Sequence, residues 1–329
     1  MPTPLRCAPK LFQKDLTGQV IIVTGANSGC GLETSRQLAK QGATVILACR
    51  SKERGEEAAK DVGGEFLHTM DLASLASVKA FADAFLAKYT RLDVLVNNAG
   101  IMICPLERTK DGFETQMGSN HLAHFYLMRL LTPLLLTTAE TTGKPSRFVA
   151  LSSCAASETS MGVGEGFAEI QFDDLNWEKT EYSYLKAYQQ CKLANYLHTM
   201  ESAKRYPADK LISVAVHPGW VQSNLDGDFF RKMLGDGCIG RTMANIVRKI
   251  YLWKGDMITA VDGAQTTLHC VLEDSNKIEN GGFYSQFGIY ADPELRPGGW
   301  PMKKSINPVH ATPENAAKLW IISDKLVGL

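Results

Sequence analysis

A tyrosine and a lysine four residues apart on a helix share one face and can move a proton together. The sequence contains three such patterns, at 182–186, 188–192 and 206–210. The first lies at or before a predicted helix start, and the last contains a proline, which argues against a rigid shared face. The central pattern continues into unbroken helix, so we favour Tyr188 and Lys192 as the pair that does chemistry.

Reduction of a carbonyl group by hydride transfer leaves an alkoxide that needs a proton. A free phenol has a pKa of about 10, and a neighbouring ammonium lowers it by favouring the phenolate. We assign that role to Lys192 beside Tyr188. Ser153 comes just after the predicted strand that contains the apolar run 148–151, where its hydroxyl would hold the substrate oxygen. The alternative for Ser153 is a strand-end hydroxyl that caps a turn.

A glycine loop at 24–31 directly follows the apolar run 20–23. A helix that begins near Gly31 would present free N–H groups and a partial positive charge to a pyrophosphate. The spacing is GxxxGxG, which differs both from GxGxxG and from a Walker loop, and glycine turns after strands are common. The loop residues expected to contact a dinucleotide are Gly25, Asn27, Ser28, Gly29, Cys30 and Gly31.

The end of the second strand predicts which dinucleotide binds. A carboxylate there would bind the adenosine ribose of NAD, whereas an arginine suits the extra 2′-phosphate of NADP. This strand ends at Arg50 with no acid before Glu53, and a guanidinium binds phosphate through paired hydrogen bonds. We therefore predict NADP(H), with an ordinary solvated Arg50 as the alternative. Asp71 and Leu72 would frame the adenine, unless Asp71 caps the helix that follows.

Composition and charge narrow the function class. The 329 residues are 45% apolar and 21% charged, with a formal net charge of zero, so no bulk field favours nucleic acid or anionic lipid. The longest aliphatic stretches are strand-sized, and we expect no signal peptide or transmembrane segment. The eight cysteines form no CxxC pair. This predicts no metal site, and it favours the cytoplasm or another reducing compartment.

Apolar strands alternate with helical patterns between Gly18 and about Val216. This alternation predicts an α/β, Rossmann-like fold, a doubly wound parallel sheet with helices on both faces. We expect a single domain over 1–329, with a substrate-side lid at about 222–262 and a C-terminal extension at about 285–329. The predicted strands are 20–24, 44–49, 65–68, 92–96, 147–152, 211–216 and 280–285, and the predicted helices are 32–41, 51–61, 75–89, 116–137, 185–205 and 313–325.

Together these features resemble the short-chain dehydrogenase/reductase family over roughly residues 17–290. Details at 120–125 (Asn-His-Leu-Ala-His-Phe) and 172–177 (Phe-Asp-Asp-Leu-Asn-Trp) are most similar to the retinol dehydrogenase branch, including the oxidoreductase domain of WW-domain oxidoreductases. The elements that carry the resemblance are the loop 24–31, Asn-Asn-Ala-Gly at 97–100, Asn120, Ser153, the pair Tyr188/Lys192 and His-Pro-Gly at 217–219.

The resemblance implies a catalytic tetrad of Asn120, Ser153, Tyr188 and Lys192. In the family, the asparagine perturbs its helix and holds a water that links the lysine to solvent, and the lysine also binds the nicotinamide ribose. Further contacts to the cofactor are implied at Asn98, Ala99, Gly100, Pro218, Gly219, Val221 and Ser223.

The predicted lid supplies the substrate side. Apolar residues in 243–253 recur at helical spacing with basic residues between them. We expect this helix to pack on its own domain, with peripheral membrane contact as the alternative. An apolar pocket favours a small lipophilic carbonyl or alcohol substrate. The resemblance also implies a homodimer through 116–137 and 185–205, and the unusual Cys30 and Cys191 suggest the hypothesis that oxidation affects activity.

The sequence thus predicts an NADP(H)-dependent oxidoreductase that reduces a lipophilic aldehyde or ketone, or oxidises the alcohol. Two alternatives stay open. One is a non-catalytic NADP(H)-sensing or scaffold protein on the same fold, against which the complete tetrad argues. The other is an enzyme similar to light-dependent protochlorophyllide reductase, which pigment binding and light-dependent turnover would reveal.

Overall fold

The computed structural model describes residues 4–157, 166–222, 238–254, 257–286 and 306–329. The strands of these residues are β1 Val20–Thr24, β2 Thr44–Ala48, β3 Val94–Asn97, β4 Ser146–Leu151, β5 Leu211–His217 and β6 Phe283–Ser285. They form one sheet in the order β2-β1-β3-β4-β5-β6, and every neighbouring pair is parallel. The carboxyl ends of the strands therefore meet along one edge.

Helices cover both faces of the sheet. They are α1 Gly29–Lys40, α2 Lys52–Val62, α3 Leu75–Lys88, α4 Thr115–Met117, α5 Ala123–Thr142, α6 Tyr184–Arg205, α7 Cys238–Lys254, α8 Ala260–Leu272 and α9 Pro313–Val327. Neighbouring residues of β1 face opposite sides: Val23 joins a hydrophobic cluster with Leu268 of α8, and Ile22 joins another with Leu131 of α5. Burial on both faces is typical of a parallel sheet, and the predicted fold class is confirmed.

The predicted strand at 65–68 is wrong. Only Glu65 and Thr69 form isolated bridges, to Ile46 and Cys49. Between these two points the chain bends at His68 and leaves the edge of the sheet. The segment therefore pairs with β2 only at its two ends and forms no continuous strand, so β2 is the edge strand of the described sheet.

The predicted helix 116–137 is interrupted near its start. A π-helical turn, Gly118–Leu122, separates α4 from α5. The combined stretch Thr115–Thr142 is long and apolar enough to cross a membrane, yet 61% of its apolar window is buried in the protein. Leu127 and Leu131 are fully buried in the cluster under the sheet. A core helix passes the same test of length and composition, so this is weak evidence for a span.

The lid and the C-terminal extension are described in part. Of the predicted lid, 223–237 and 255–256 lie outside the described residues. The rest contains α7, where helical spacing was recognised, and the start of α8, which was not predicted as a helix. Of the extension, 287–305 lies outside them, and α9 packs against α5 and α6. There the Trp320 ring meets Phe125 and His198 at centroid distances of 5.1 and 5.4 Å.

Candidate active site

A cleft of about 520 Å³ opens at the edge of the sheet where the strands end. Gly31 and Lys192 lie behind its wall, close to Gly25 and Gly100 respectively, and Ser223 lies outside the described residues. The other predicted site residues line the cleft: Gly25, Asn27, Ser28, Gly29, Cys30, Arg50, Asp71, Leu72, Asn98, Ala99, Gly100, Asn120, Ser153, Tyr188, Pro218, Gly219 and Val221.

The glycine loop brings α1 unusually close to the neighbouring loop. Gly25 has a φ of +64°, and a Cβ on Gly31 would lie 2.4 Å from Asn98 Nδ2 and 2.6 Å from the Gly25 carbonyl oxygen. Only glycine fits at such an approach. Helix α1 begins at Gly29, earlier than predicted, and Ser28 caps it without a side-chain hydrogen bond. The N–H groups of its first turn are therefore available to an anionic ligand.

Thr24, at the end of β1, connects the glycine loop to Asn120. Its Oγ1 accepts hydrogen bonds from the backbone N–H groups of Asn98 and Ala99, both at 2.9 Å. Because Oγ1 already accepts two bonds, we assign its proton to the bond with His124 Nε2, at 2.9 Å. The His124 Nδ1–H then donates to the Asn120 carbonyl oxygen at 3.1 Å.

Asn120 lies within the π-helical turn and is fully buried. Its Oδ1 accepts from the Ile101 N–H, and its Nδ2 donates to the Ile101 carbonyl oxygen, both at 2.8 Å. Nδ2 also lies 3.2 Å from Cys191 Sγ. The side chain thereby joins the start of α5 to the loop after β3 and to α6. Turns of this kind are frequent at functional sites.

Tyr188 and Lys192 lie on one face of α6. Lys192 Nζ is 5.6 Å from the centre of the Tyr188 ring and donates to the Leu151 carbonyl oxygen at 3.0 Å. The lysine is only 4% exposed, and burial lowers its pKa from 10.5. A Cβ on Gly100 would lie 3.4 Å from Asn120 Oδ1 and 3.6 Å from Lys192 Nζ. The missing side chain at Gly100 therefore leaves these polar groups close to the cleft.

The two serines after β4 differ in their contacts. Ser152 Oγ donates to the Lys192 carbonyl oxygen at 2.6 Å, a bond that fixes α6 to the strand. Ser153 Oγ accepts from the Ala155 N–H at 3.2 Å, so it does cap a short turn, as the alternative reading expected. Ser153 Oγ also lies 3.8 Å from Cys154 Sγ, a long contact in which either group can donate, so a ligand in the cleft would compete only with that thiol for the hydroxyl proton.

The other two Tyr-x-x-x-Lys patterns lie elsewhere. The Tyr182 hydroxyl donates to the Cys104 carbonyl oxygen at 2.9 Å and lies 3.1 Å from Glu114 Oε1. Burial, followed by the nearby Glu114 charge, raises the pKa of Tyr182. Tyr206 follows the last residue of α6, where its ring lies 6.4 Å from that of Trp320. Neither tyrosine lines the cleft.

At the opposite end of the cleft, Arg50 is exposed and follows β2. Asp71 Oδ1 accepts from the Ala73 N–H at 3.1 Å. The cap of α3 is Ser74, whose hydroxyl accepts from the Ser77 N–H. The alternative role of Asp71 as the helix cap is therefore wrong. Its Oδ2 lies 3.5 Å from Lys110 Nζ, and the residue lines the cleft.

Sequence comparison places the chain among known proteins. Residues 19–164 match the family described as short chain dehydrogenase. Human retinol dehydrogenase 12 is 36% identical over 95% of this chain and 88% of its own length. Human retinol dehydrogenase 11 is 37% identical over 95% of this chain and 87% of its own. The chain belongs to the short-chain dehydrogenase/reductase family.

Solved structures agree with this assignment. An uncharacterized protein from Mycobacterium paratuberculosis superposes with a TM-score of 0.68, at 31% identity and with 96% of each chain covered. The NADP complex of Pseudomonas aeruginosa RhlG gives a TM-score of 0.63 at 21% identity, covering 86% of this chain and 99% of that one, a likeness of fold alone. The predicted family and its retinol dehydrogenase branch are confirmed, and the short-chain dehydrogenase/reductase is an oxidoreductase.

Members of this family use NAD(P) dinucleotides, and the residues present fit one. The first turn of α1 has free N–H groups at the cleft, and the approach of Gly31 to Gly25 leaves no room for side chains there. Among the described residues, no group of three or more His, Cys, Asp and Glu side chains could hold a metal ion. The dehydrogenase fold thus offers an anion site at its glycine loop.

The two unusual cysteines of this short-chain dehydrogenase/reductase carry thiols of raised pKa. Burial raises the pKa of the Cys30 thiol and of the Cys191 thiol to about 12 in each case. The thiolate is the reactive form, so neither group is activated for oxidation at neutral pH. The hypothesis that oxidation affects activity through these residues stays a prediction.

Sequence reasoning missed three residues of this dehydrogenase site. Thr24 and His124 form the connection to Asn120, and His217 lines the cleft beside the other strand ends. His124 and His217 both stand within the motifs that carried the resemblance, but only their neighbours were assigned roles. A polar residue at the end of a buried strand was the signal available for Thr24 and His217.

Proposed function

We propose that the protein is an NADP(H)-dependent oxidoreductase that reduces a lipophilic aldehyde or ketone, or oxidises the corresponding alcohol. The observation that carries this proposal is that Tyr188 and Ser153 line one cleft with the glycine loop, while Lys192 Nζ lies behind the wall, 5.6 Å from the centre of the phenol ring. A non-catalytic sensor would need the glycine loop without the phenol and the hydroxyl.

In the proposed reaction, Tyr188 is the acid that protonates the reduced oxygen, and the phenolate is the base in the reverse direction. Lys192, 5.6 Å from the centre of the phenol ring, stabilises that phenolate when it carries its proton. The Ser153 hydroxyl holds the substrate oxygen. A bound nicotinamide supplies or accepts the hydride.

We propose that Asn120 acts by holding the π-helical turn. Its side-chain amide is engaged by Ile101, and its carbonyl oxygen accepts from His124. These contacts support a positioning role for the asparagine. The family's water, which would link Lys192 to solvent, stays a prediction.

We propose that Arg50 selects NADP over NAD. The guanidinium is exposed at the cleft and follows β2, the place at which a phosphate on the adenosine ribose would lie in this fold. The nearest acid in sequence, Glu53, lies 2.9 Å from Ser51 Oγ and not against Arg50. Asp71 and Leu72 form the adjoining wall, where we place the adenine.

We propose a lipophilic substrate because apolar side chains line the cleft, among them Trp220 and Met102, and Met102 packs against the cluster that contains Tyr188. The relatives named retinol dehydrogenases carry a lipophilic alcohol in their name, which supports the same class. Trp220 also contacts Tyr251 of α7 at a ring distance of 4.8 Å. Helix α7 therefore lies beside the substrate end of the cleft.

We further propose that α7 touches a membrane surface that carries anionic lipid. One stripe of the helix is exposed: Met243 (48%), Ile246 (48%), Ile250 (45%) and Trp253 (75%). The helix contains four basic residues and no acidic one, while the whole chain is neutral. An apolar stripe flanked by cations fits the boundary between headgroups and acyl chains, from which a lipophilic substrate could enter the cleft.

The remaining expectations are proposals as well. A single domain is supported by the packing of α9 on α5 and α6, and a reducing compartment by the free cysteines of the described residues. A homodimer would have to use surfaces of α5 and α6 that α9 leaves open. The protochlorophyllide alternative has no observation that favours it.

The test is a panel of lipophilic and water-soluble aldehydes, ketones and alcohols, followed by the absorbance of reduced nicotinamide. We expect turnover of lipophilic carbonyls with NADPH. Binding of NADPH without turnover of any member would contradict the proposal and favour the sensor.

A further inference from the structure

His217 is the last residue of β5 and is one of the residues that line the cleft. The register of β4 and β5 pairs Leu151 with Val216, and the Ser152 N–H donates to the Val216 carbonyl oxygen at 2.8 Å. His217, at the end of β5, therefore lies next to Ser152, which directly precedes Ser153. The side chain is 6% exposed, so this is a buried polar group at the catalytic end of the cleft.

The Nδ1 atom of His217 is buried and has no hydrogen-bond partner in the described part of the chain. A buried polar atom without a partner costs about 1–3 kcal/mol. His121 and His198 also carry an unpartnered ring nitrogen, but they lie in the aromatic cluster around Trp320. Among the described residues, His217 is the histidine of this kind that lines the cleft. Its Nδ1 has less than 1 Å² of exposed surface, so the ring must turn for a ligand in the cleft to become the partner of that atom.

The surroundings define the chemistry of that ligand. Burial, with the Lys192 charge as a second cause, lowers the pKa of His217 to about 4. The ring is therefore neutral at pH 7 and offers one N–H donor and one acceptor nitrogen. A neutral ring beside a lysine suits hydroxyl and amide groups better than a phosphate, which the glycine loop and Arg50 would bind.

The position of His217 in the sheet indicates which part of a bound dinucleotide it would contact. Arg50 follows β2, and His217 ends β5, four strand spacings or about 19 Å away. The glycine loop follows β1, between them. We propose that the His217 imidazole hydrogen-bonds the neutral hydroxyl or amide groups of the nicotinamide nucleoside and so positions that half of the cofactor beside Tyr188. The inference rests on the proposed function and adds a binding residue to it.

Two ligands separate the halves of the cofactor: NADP⁺ itself, and adenosine 2′,5′-bisphosphate, which lacks the nicotinamide nucleoside. Their dissociation constants are measured by titration calorimetry on the full chain with no substrate present. His217→Ala is expected to weaken NADP⁺ about tenfold, equivalent to about 1.4 kcal/mol, and to leave the bisphosphate unchanged. His217→Asn, which keeps a donor of shorter reach, is expected to regain part of the loss.

His269→Asn is the matched control. His269 is half-buried in α8, and its ring lies 5.8 Å from that of Tyr284. It does not line the cleft, so both ligands should bind this variant as they bind the unaltered protein. If His217→Ala does not fold, the comparison of the two ligands on His217→Asn decides instead.

Two results would overturn the inference: unchanged NADP⁺ affinity in the folded His217 variants, or equal weakening of both ligands, which indicates a structural role. Failure of the proposed function looks different. In that case the unaltered protein either binds neither NADP⁺ nor the bisphosphate, or binds NADPH and turns over no member of the substrate panel, before any variant is compared.

Discussion

Replacing Gly31 by alanine tests the geometry of the cofactor loop. The new Cβ would lie 2.4 Å from Asn98 Nδ2 and 2.6 Å from the Gly25 carbonyl oxygen, both closer than atoms can approach. The Gly25 contact is backbone, so the strain cannot be relieved by rotation of a side chain. The Asn98 amide must also move, and it would lose its 2.8 Å bond to the Thr24 carbonyl oxygen.

The size of the effect follows from these contacts. Overpacking of this kind costs about 1–3 kcal/mol, and the lost hydrogen bond adds about 1 kcal/mol. We expect Gly31→Ala to lower the free energy of unfolding by about 2–4 kcal/mol. Displacement of the loop should also weaken NADP⁺ at least about tenfold, since the first turn of α1 would no longer face the phosphates.

Urea unfolding gives the stability, and titration calorimetry gives the affinity for NADP⁺. Gly143→Ala is the matched control: Gly143 has a φ of +65° and open space around its Cβ position, and it follows α5 far from the cleft. It should destabilise the fold by about 1 kcal/mol through backbone strain and leave binding unchanged. Normal NADP⁺ affinity in a folded Gly31→Ala variant would refute the assignment of this loop to the cofactor.

Three further predictions concern the cofactor, the membrane and pH. Arg50→Asp should weaken the binding of NADPH about tenfold to a hundredfold and leave the binding of NADH nearly unchanged, since the lost contact is to a charged phosphate. If binding titrations show the same preference for NADPH over NADH as in the unaltered protein, another residue selects NADP. Trp253→Glu should abolish cosedimentation with phosphatidylserine vesicles, whereas Ile321→Glu, at a residue that is 64% exposed on α9, should not. Equal vesicle binding by both variants would exclude α7 as the membrane contact. A concentration-dependent dimer that is lost in Trp253→Glu would indicate that α7 binds a second copy of the chain instead. Burial lowers the pKa of His121 to about 3 and that of His124 to about 4, so between these pH values and about pH 6.5 the unfolded chain binds more protons than the folded one. The free energy of unfolding should therefore fall as the pH drops below 6.5, by about 2 kcal/mol for each histidine at pH 5. A urea midpoint that does not change between pH 7 and pH 5 would contradict the burial of these histidines as neutral rings.

Much of the fold was predictable because the residue types within a segment and the place of that segment in the fold favour the same element. Strand β1 is apolar from Val20 to Val23 and β4 from Phe148 to Leu151, and both strands are buried on both faces. Where the residue types of a segment do not favour the element that the fold contains there, the prediction fails. Helix α8 contains Gly263 and several β-branched residues, which obscure its helical pattern. The structure explains the glycine, because a Cβ there would lie 2.5 Å from Val221 Cγ2 and 2.7 Å from Cys30 Sγ.

The candidate site shows the same division. The types and spacing of Tyr188 and Lys192 are local, so the sequence could single them out. The roles of Thr24 and His124 depend on hydrogen bonds between residues 100 positions apart, and no periodicity encodes such a pair. The π-helical turn at Asn120 likewise depends on the contact with Ile101 across the cleft wall.

The central claim is that the Tyr188 phenol transfers the proton, and Tyr188→Phe tests it most directly. The variant is compared with Tyr206→Phe, in which the tyrosine belongs to another Tyr-x-x-x-Lys pattern and lies outside the cleft. We expect Tyr188→Phe to bind NADPH normally and to lose turnover by about a hundredfold to ten-thousandfold, while Tyr206→Phe keeps its activity. Turnover of Tyr188→Phe at the unaltered rate, with NADPH bound, would contradict the account.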